Sequence, residues 1–417
     1  MLISDVSACA LEPGPPAPTI GPELVLLNRL LDDLQAVDWG RLSHAYGPAD
    51  DVPALLCGLL IREAEPREDV FATLFSTIWH QGTVYGASVH AVPFLLRLLA
   101  DPRTPDRIGV LHLLSTLAAP GAGLRGATPE QQHFNPHALA TNTAVAAGVD
   151  LLIAIAGDNQ QSAEMCRLAL YTLSLLPAAA LASVPRLLAW LDDPHQSDLQ
   201  PDIAHALHTL LDDGPAAQAV FTRLLERGDD PVTAFVAAAA LLARAGSAAP
   251  DGAAQILLAA LKHLEQRAPA LPPGDPVGYW FWDSPWPEDV VAFVLEHLCI
   301  PGGAFSREAL LRALPLLHQP EQAEQVAQRL LELAFDEGQR RHWHASHTRK
   351  NGRRIITYKL PGELPARDLQ GLNAPQRTVL RALLDHEPLW QHESNLLEVY
   401  GLPSCRPVLA EIMGSRK

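Results

Sequence analysis

The stretch Val92-Pro93-Phe94-Leu95-Leu96-Arg97-Leu98-Leu99-Ala100-Asp101-Pro102 decides how this chain is built. It returns as Val184-Pro185-Arg186-Leu187-Leu188-Ala189-Trp190-Leu191-Asp192-Asp193-Pro194 and, shortened, as Val52-Pro53-Ala54-Leu55-Leu56. A proline in the first helical turn sacrifices no hydrogen bond, and its φ already suits a helix. The leucine spacing then makes an apolar stripe, and Asp-Pro stops the helix. Such a stripe needs a neighbour, which a repeat supplies. The copies start 40 residues apart (92 − 52) and then 92 apart (184 − 92), or two steps of 46. A degenerate copy from Phe221 to Pro231 lacks Val-Pro, and Leu187 to Leu224 is a step of 37 (224 − 187). Two-helix units at steps of about 40–47 residues are the period of a stacked helical array.

Periodicity places helices around this frame. The lead 1–20 ends in Leu11-Glu12-Pro13-Gly14-Pro15-Pro16-Ala17-Pro18, which favours extended chain. Leucines from Leu24 to Leu34 then recur at helical spacing, and Asp50-Asp51 is placed to cap the Val52 helix. Glu68 to Trp79 reads as a helix, with Val70, Phe71, Leu74, Phe75 and Ile78 at i, i+1, i+4, i+5 and i+8. Further helices are expected over 105–117, 136–155, 162–176, 184–191, 202–211, 216–226, 231–245, 253–266, 374–386 and 406–413. Gly and Pro residues make 120–136 a long loop.

Composition limits the classes available. The chain has 417 residues, 48% of them hydrophobic, 6% aromatic, and a formal net charge of −16. An acidic surface repels nucleic acid and attracts basic proteins. Five scattered cysteines (Cys9, Cys57, Cys166, Cys299 and Cys405) form no paired motif, so buried free thiols are expected, with no metal and no cofactor. No basic leader precedes an apolar core, and no stretch of about 20 uninterrupted apolar residues follows, so the expected location is cytoplasmic, without membrane contact.

The helix pairs, the Val-Pro-x-Leu-Leu openings and the Asp-Pro stops together resemble HEAT-repeat proteins. Trp79-His80-Gln81-Gly82-Thr83-Val84-Tyr85 and Asn395-Leu396-Leu397-Glu398-Val399-Tyr400-Gly401-Leu402-Pro403 look like segments of an uncharacterised bacterial HEAT-like group. The resemblance covers about residues 20–335 and, more weakly, the tail. It implies an all-α, armadillo-type α-solenoid (a superhelix) whose members mostly bind proteins, a minority binding nucleic acid. The expected organisation is a lead over 1–20, a helical-repeat solenoid over 21–335 and a distinct tail over 336–417.

The tail differs in charge. Residues 1–335 hold 18 Lys and Arg against 38 Asp and Glu, net −20; residues 336–417 hold 13 against 9, net +4. Seven cations and no acid fall between Gly338 and Gly362: Arg340, Arg341, Arg349, Lys350, Arg353, Arg354 and Lys359. Asn351-Gly352 between β-prone runs predicts one C-terminal β-hairpin.

Function is then expected where the repeats are interrupted. Trp79, His80, Gln81 and Tyr85 lie in a turn between paired helices, as partner contacts, as a proton-transfer group or simply as a packed junction. Tyr279, Trp280, Trp282, Asp283 and Trp286 form a proline-interrupted aromatic loop, residue types that dominate binding hot spots. The basic hairpin is a patch for nucleic acid, or else its charges dock on the acidic body or stay solvated, the latter pair favoured. Histidines at 342, 344 and 347 lack an acidic or thiol co-ligand. Asp202, His205 and His208 share a helix face, read as a solvated polar face rather than a metal site. No GxGxxG after a strand, GxxxxGK[ST], HExxH or GxSxG motif occurs. The leading expectation is therefore a non-enzymatic protein-binding module with a basic partner and no evident small-molecule substrate. An immunity-type protein neutralising a basic toxin or nuclease, and nucleic-acid binding through the hairpin, are the alternatives.

Overall fold

The structure, a computed structural model, describes residues 32–122, 135–228, 230–262, 290–335, 344–350, 353–359, 371–391, 396–403 and 405–414. It is mostly helical, and its contacts divide the chain into two units, Met1–Ser183 and Val184–Lys417.

The first unit opens with a short antiparallel pair, β1 (Ser43–His44) and β2 (Gly47–Pro48), followed by α1 (Val52–Gly58) and α2 (Ala64–Ile78). A second pair, β3 (Trp79–His80) and β4 (Thr83–Val84), leads into α3 (Gly86–Ala100). Then come α4 (Arg107–Ala122), α5 (Ala138–Ala146), α6 (Val149–Ala156) and α7 (Ala163–Ser174), whose first turn is capped by the Ser162 hydroxyl. The expectation of a single strand pair near the C-terminus therefore needs correction: each of the first two Val-Pro helices is preceded by its own tiny hairpin. Two-residue strands carry too little periodicity to register in a sequence.

The founding stretch also needs correction. Pro53 does sit in the first turn of α1, but Pro93 lies in the middle of α3. Pro185 is likewise interior to α8 (Ala180–Trp190). Both interior prolines are exposed, while Val92 and Leu95 are fully buried. A proline on the solvent side leaves its orphaned carbonyl where water reaches it, which makes an interior proline tolerable. The Asp-Pro stop holds: α3 ends at Ala100, with Asp101 extended before Pro102.

Helix α4 is the centre of the first unit, packing on α3, α5 and α7. Val110, Leu111, Leu113, Leu114, Leu117 and Ala118 are all buried. The expected loop from Pro120 starts later, because α4 runs on through Pro120 to Ala122. Gly121 permits this: a Cβ there would stand 2.5 Å from the Ala138 carbonyl oxygen and 2.4 Å from Asn142 Cβ. The buried Asn142 amide then donates to Ala118 O at 2.8 Å and Leu175 O at 2.9 Å, satisfying carbonyls near two helix ends. The expected single helix over 136–155 is two, α5 and α6, bent by 58°. Gly148 sits in the bend, where a Cβ would come within 2.4 Å of Leu96 Cδ2.

In the second unit, α9 (Gln200–Leu210) and α10 (Pro215–Arg227) pack on α11 (Pro231–Ala245), with α12 (Gly252–Ala260) beyond it. Residues 235–242 of α11 are buried without a break. A helix apolar on all sides is a core helix. The window Pro231–Ala248 is long and apolar enough to cross a membrane although polar residues interrupt it, which corrects the expectation that no such stretch occurs; 61% of it is buried inside the fold. Asp230 starts α11 by accepting from the Val232 and Thr233 amides. Next come α13 (Val290–Cys299), α14 (Gly303–Ala313) and α15 (Pro320–Ala334).

Strand β5 (His344–Lys350) pairs antiparallel with β6 (Arg353–Lys359), with Lys350 opposite Arg353 and Arg349 opposite Arg354. The intervening Asn351 and Gly352 lie outside the described residues. Helices α16 (Ala374–Asp385) and α17 (Arg406–Gly414) close the chain. Asn373 and Gln376 cap α16 reciprocally, and the Gln376 amide donates to Ala334 O at 3.1 Å, tying α16 to α15. Among the described cysteines only Cys166 is buried; Cys57 and Cys299 are half-buried and Cys405 is exposed. Cys9 lies outside the described residues.

Candidate interaction surface

Phe71 and Phe75 of α2 are one turn apart, and Trp79 follows at the same spacing just past the helix end. Spacing of four puts all three on one face. Adjacent rings stand 6.1 Å (Phe71–Phe75) and 5.2 Å (Phe75–Trp79) apart, the second pair edge-on. His112 of α4 stacks on Phe75 at 6.2 Å and 16°. The apolar stripe of α2 is therefore split between a buried flank and an open one. Leu74, Thr77 and Ile78 are buried, whereas the ring row is half-buried and His112 is exposed. Exposed Glu68 sits one turn before Phe71 on the same face, with Asp69 beside it.

The row ends in the β3–β4 hairpin, which is held rigidly. Gln81 has φ 48° and Gly82 φ 80°, the paired left-handed conformation of a two-residue hairpin turn. Gln-Gly is a weak form of that signal, so the sequence reading saw only a turn. Asn135, distant in sequence, clamps it: its amide donates to Gly82 O at 3.0 Å and its oxygen accepts from Val84 N at 3.3 Å. Tyr85 N donates to the buried Ser88 hydroxyl at 2.7 Å, and that hydroxyl donates to Ile78 O. Trp79 and His80, being consecutive strand residues, fall on opposite faces of the hairpin.

His80 meets the β1–β2 hairpin. The Tyr46 hydroxyl lies 3.4 Å from His80 Nδ1, the rings are 5.6 Å apart, and Tyr46 is 65% exposed. Ala45 N donates to Thr77 O at 3.0 Å, pinning this hairpin to the end of α2. The sequence reading grouped His80 with Gln81 and Tyr85; the hydroxyl that reaches it is Tyr46's.

The nearby His44 is fully committed. Its Nδ1 accepts from Tyr46 N at 3.0 Å, so its Nε2 carries the proton and donates to Asp51 Oδ1 at 3.0 Å. With both nitrogens engaged, His44 has no lone pair left to accept a substrate proton. Asp51 therefore serves His44, and its side chain does not cap α1 as expected.

A second cluster lies in the other unit, and it overturns the solvated-face reading of Asp202, His205 and His208. Asp202, His205 and His297 are buried and His208 is half-buried. Arg244 Nη1 donates to His208 Nδ1 at 2.8 Å, His208 Nε2 lies 3.0 Å from His297 Nε2, and His297 Nδ1 lies 2.8 Å from Phe293 O. The guanidinium and the carbonyl fix the tautomers: His208 Nε2 donates to His297 Nε2, and His297 Nδ1 donates to Phe293 O. Burial, with the neighbouring His297 adding to it, pushes His205 down to about 3. Burial also lowers His208 and His297. Arg244 further donates to His208 O at 2.7 Å and Leu211 O at 3.1 Å, the last carbonyls of α9. This polar seam joins α9, α11 and α13, and nothing in the sequence linked His297 to it. Among the described residues no cluster of His, Cys, Asp and Glu is arranged to hold a metal ion.

Of the other expected sites, Tyr279, Trp280, Trp282, Asp283, Trp286, Arg340 and Arg341 lie outside the described residues. Arg349 and Lys350 fall on β5, Arg353 and Arg354 on β6. Histidines 342 and 133 lie outside as well. No known protein family matches this chain, and no curated protein matches it.

Proposed function

We propose that the protein is a non-enzymatic interaction module that binds a basic protein, built from HEAT-like stacked helices with a projecting β5–β6 hairpin. One observation carries the reading: the half-exposed row Phe71–Phe75–Trp79, stacked by His112. Rings left partly open to water contribute large contact area to a partner at little entropic cost. They sit on rigid supports, since Asn135, Ser88 and Thr77 O fix both hairpins before any partner arrives. The partner is basic because exposed Glu68 and Asp69 neighbour the rings in sequence and the chain carries −16 overall.

The test is a partner recovered from the native host and then titrated with purified protein. Trp79→Ala and Phe75→Ala should each weaken the complex about 30-fold, the scale of a hot-spot residue. Added salt should slow association, as charge steering requires. Salt-independent association with both variants binding normally overturns the reading.

A further inference from the structure

We propose that the ring row of α2 receives its partner in one form, a basic amphipathic helix. The partner's apolar row lies over Phe71, Phe75 and Trp79, and its cations reach the acidic first turns of α2. This rests on the reading of the rings as a binding surface and names the kind of segment that fits them.

Helix α2 is divided along its length. Glu65, Glu68 and Asp69 near its start are exposed. Arg67 beside them is turned back, its Nη1 donating to Ile61 O at 2.9 Å and Arg62 O at 2.8 Å. From Val70 to Trp79 there is no charged residue. The hydroxyl donors of this half are spent on their own helix: Thr73 donates to Asp69 O at 2.8 Å and Ser76 to Thr73 O at 3.0 Å. On α4, Thr116 likewise donates to His112 O at 3.0 Å. The surface therefore offers a partner rings and methyl groups at one end and carboxylates at the other.

That offer selects the backbone form of the partner. An extended segment carries an N–H and a C=O at each residue, and a ring row leaves those facing it unpaired. Strand addition would need a sheet edge, and β3 and β4 are two residues long. A helix satisfies its backbone internally and presents side chains alone. The spacing agrees. The rings recur one turn apart, at 6.1 and 5.2 Å, and the four-residue rows of a second helix repeat at about 6 Å, so the two interdigitate. Glu68 to Trp79 is a step of 11 residues (79 − 68), about 16 Å, so about three partner turns cover the rings and reach the acids. Charge then chooses among helices. A basic one complements Glu65, Glu68 and Asp69, whereas a second copy of this chain, at −16, sets acid against acid.

The experiment is fluorescence anisotropy of the full chain with three labelled peptides of about 18 residues, long enough to form a helix when bound. One carries leucines at helical spacing among lysines. The second has the same composition in strict alternation, and the third is the helical pattern with glutamate for lysine. Wild type should bind the basic helix about tenfold or more tightly than either control. Phe75→Ala and Trp79→Ala should each weaken that binding about tenfold. Glu68→Lys with Asp69→Lys should weaken it about tenfold and favour the acidic helix. Both acids are exposed, so this variant decides the matter even if a ring variant fails to fold.

No binding of the basic helix, equal binding of the alternating peptide, or binding that ignores the ring variants overturns the proposal. So does self-association in sedimentation that Trp79→Ala abolishes, the mark of a second copy on the rings. Competition against the native complex separates two failures. If the ring variants weaken that complex but the basic helix does not compete for it, the helical form is wrong and the surface stands. If the ring variants leave the native complex unchanged, the surface itself is wrong and the inference falls with it.

Discussion

His208 and His297 face each other Nε2 to Nε2 at 3.0 Å, with the proton on His208, because Arg244 and the Phe293 carbonyl occupy the outer nitrogens. Both rings must be neutral for this chain of bonds to exist. Arg244, held over Phe221 at 5.0 Å with Asp213 near its Nε, supplies the only charge in the chain of donors.

That neutrality makes stability depend on pH. Burial depresses His205 to about 3 and lowers His208 and His297 as well, whereas unfolded histidines titrate near 6.5. Between those values the unfolded chain binds more protons. Stability is therefore full above about pH 6.5 and falls as pH drops towards 3, by up to about 1.4 kcal/mol per pH unit per histidine. Urea unfolding of wild type and of His297→Leu at several pH values reads this. The variant should lose about 1–3 kcal/mol at neutral pH, since His208 Nε2–H is left without its acceptor, and should show a shallower acid slope. Equal slopes would mean that the cluster does not titrate on unfolding.

Arg244→Lys tests the fork. A lysine presents a point charge, whereas Arg244 reaches His208 Nδ1, His208 O and Leu211 O at once from a 3% exposed side chain. The substitution should cost about 3 kcal/mol in chemical denaturation. A loss below about 0.5 kcal/mol, the scale of an ordinary surface change, would contradict the geometry.

Gln81→Asn should stabilise. Gln81 holds a left-handed φ of 48°, which asparagine adopts more readily in a two-residue hairpin turn. A gain of about 0.5 kcal/mol and slower exchange of the Val84 amide are expected, within the usual range for turn optimisation.

Pro93→Ala should stabilise α3. Pro93 is exposed and mid-helix, so alanine restores a backbone donor without opening a cavity. A gain of about 1 kcal/mol or more in thermal denaturation is expected. A loss would mean that the helix path requires the proline.

Gly121→Ala should destabilise by about 1–3 kcal/mol through overpacking, because its Cβ would collide with Ala138 O and Asn142 Cβ. Asn142→Ala should cost a similar amount by orphaning Ala118 O and Leu175 O. Near-additive losses in the double variant would show that the two sites act separately; coupling is expected, since they touch.

The sequence by itself determined the helical class and many helix positions. Leucine periodicity and the Asp-Pro stops are local signals, and α11 begins and ends where Pro231 and Ala245 said it would. The Asn373 cap is equally local. Tertiary structure decided the rest. Whether Phe75 or Leu74 faced inward depended on which flank of α2 met a neighbour, and a stripe wider than its partner leaves one edge open. The His208–His297 contact joins residues 89 apart, and Asn135 reaches back 53 residues to Gly82 O. Pairings of that range leave no periodicity in the chain.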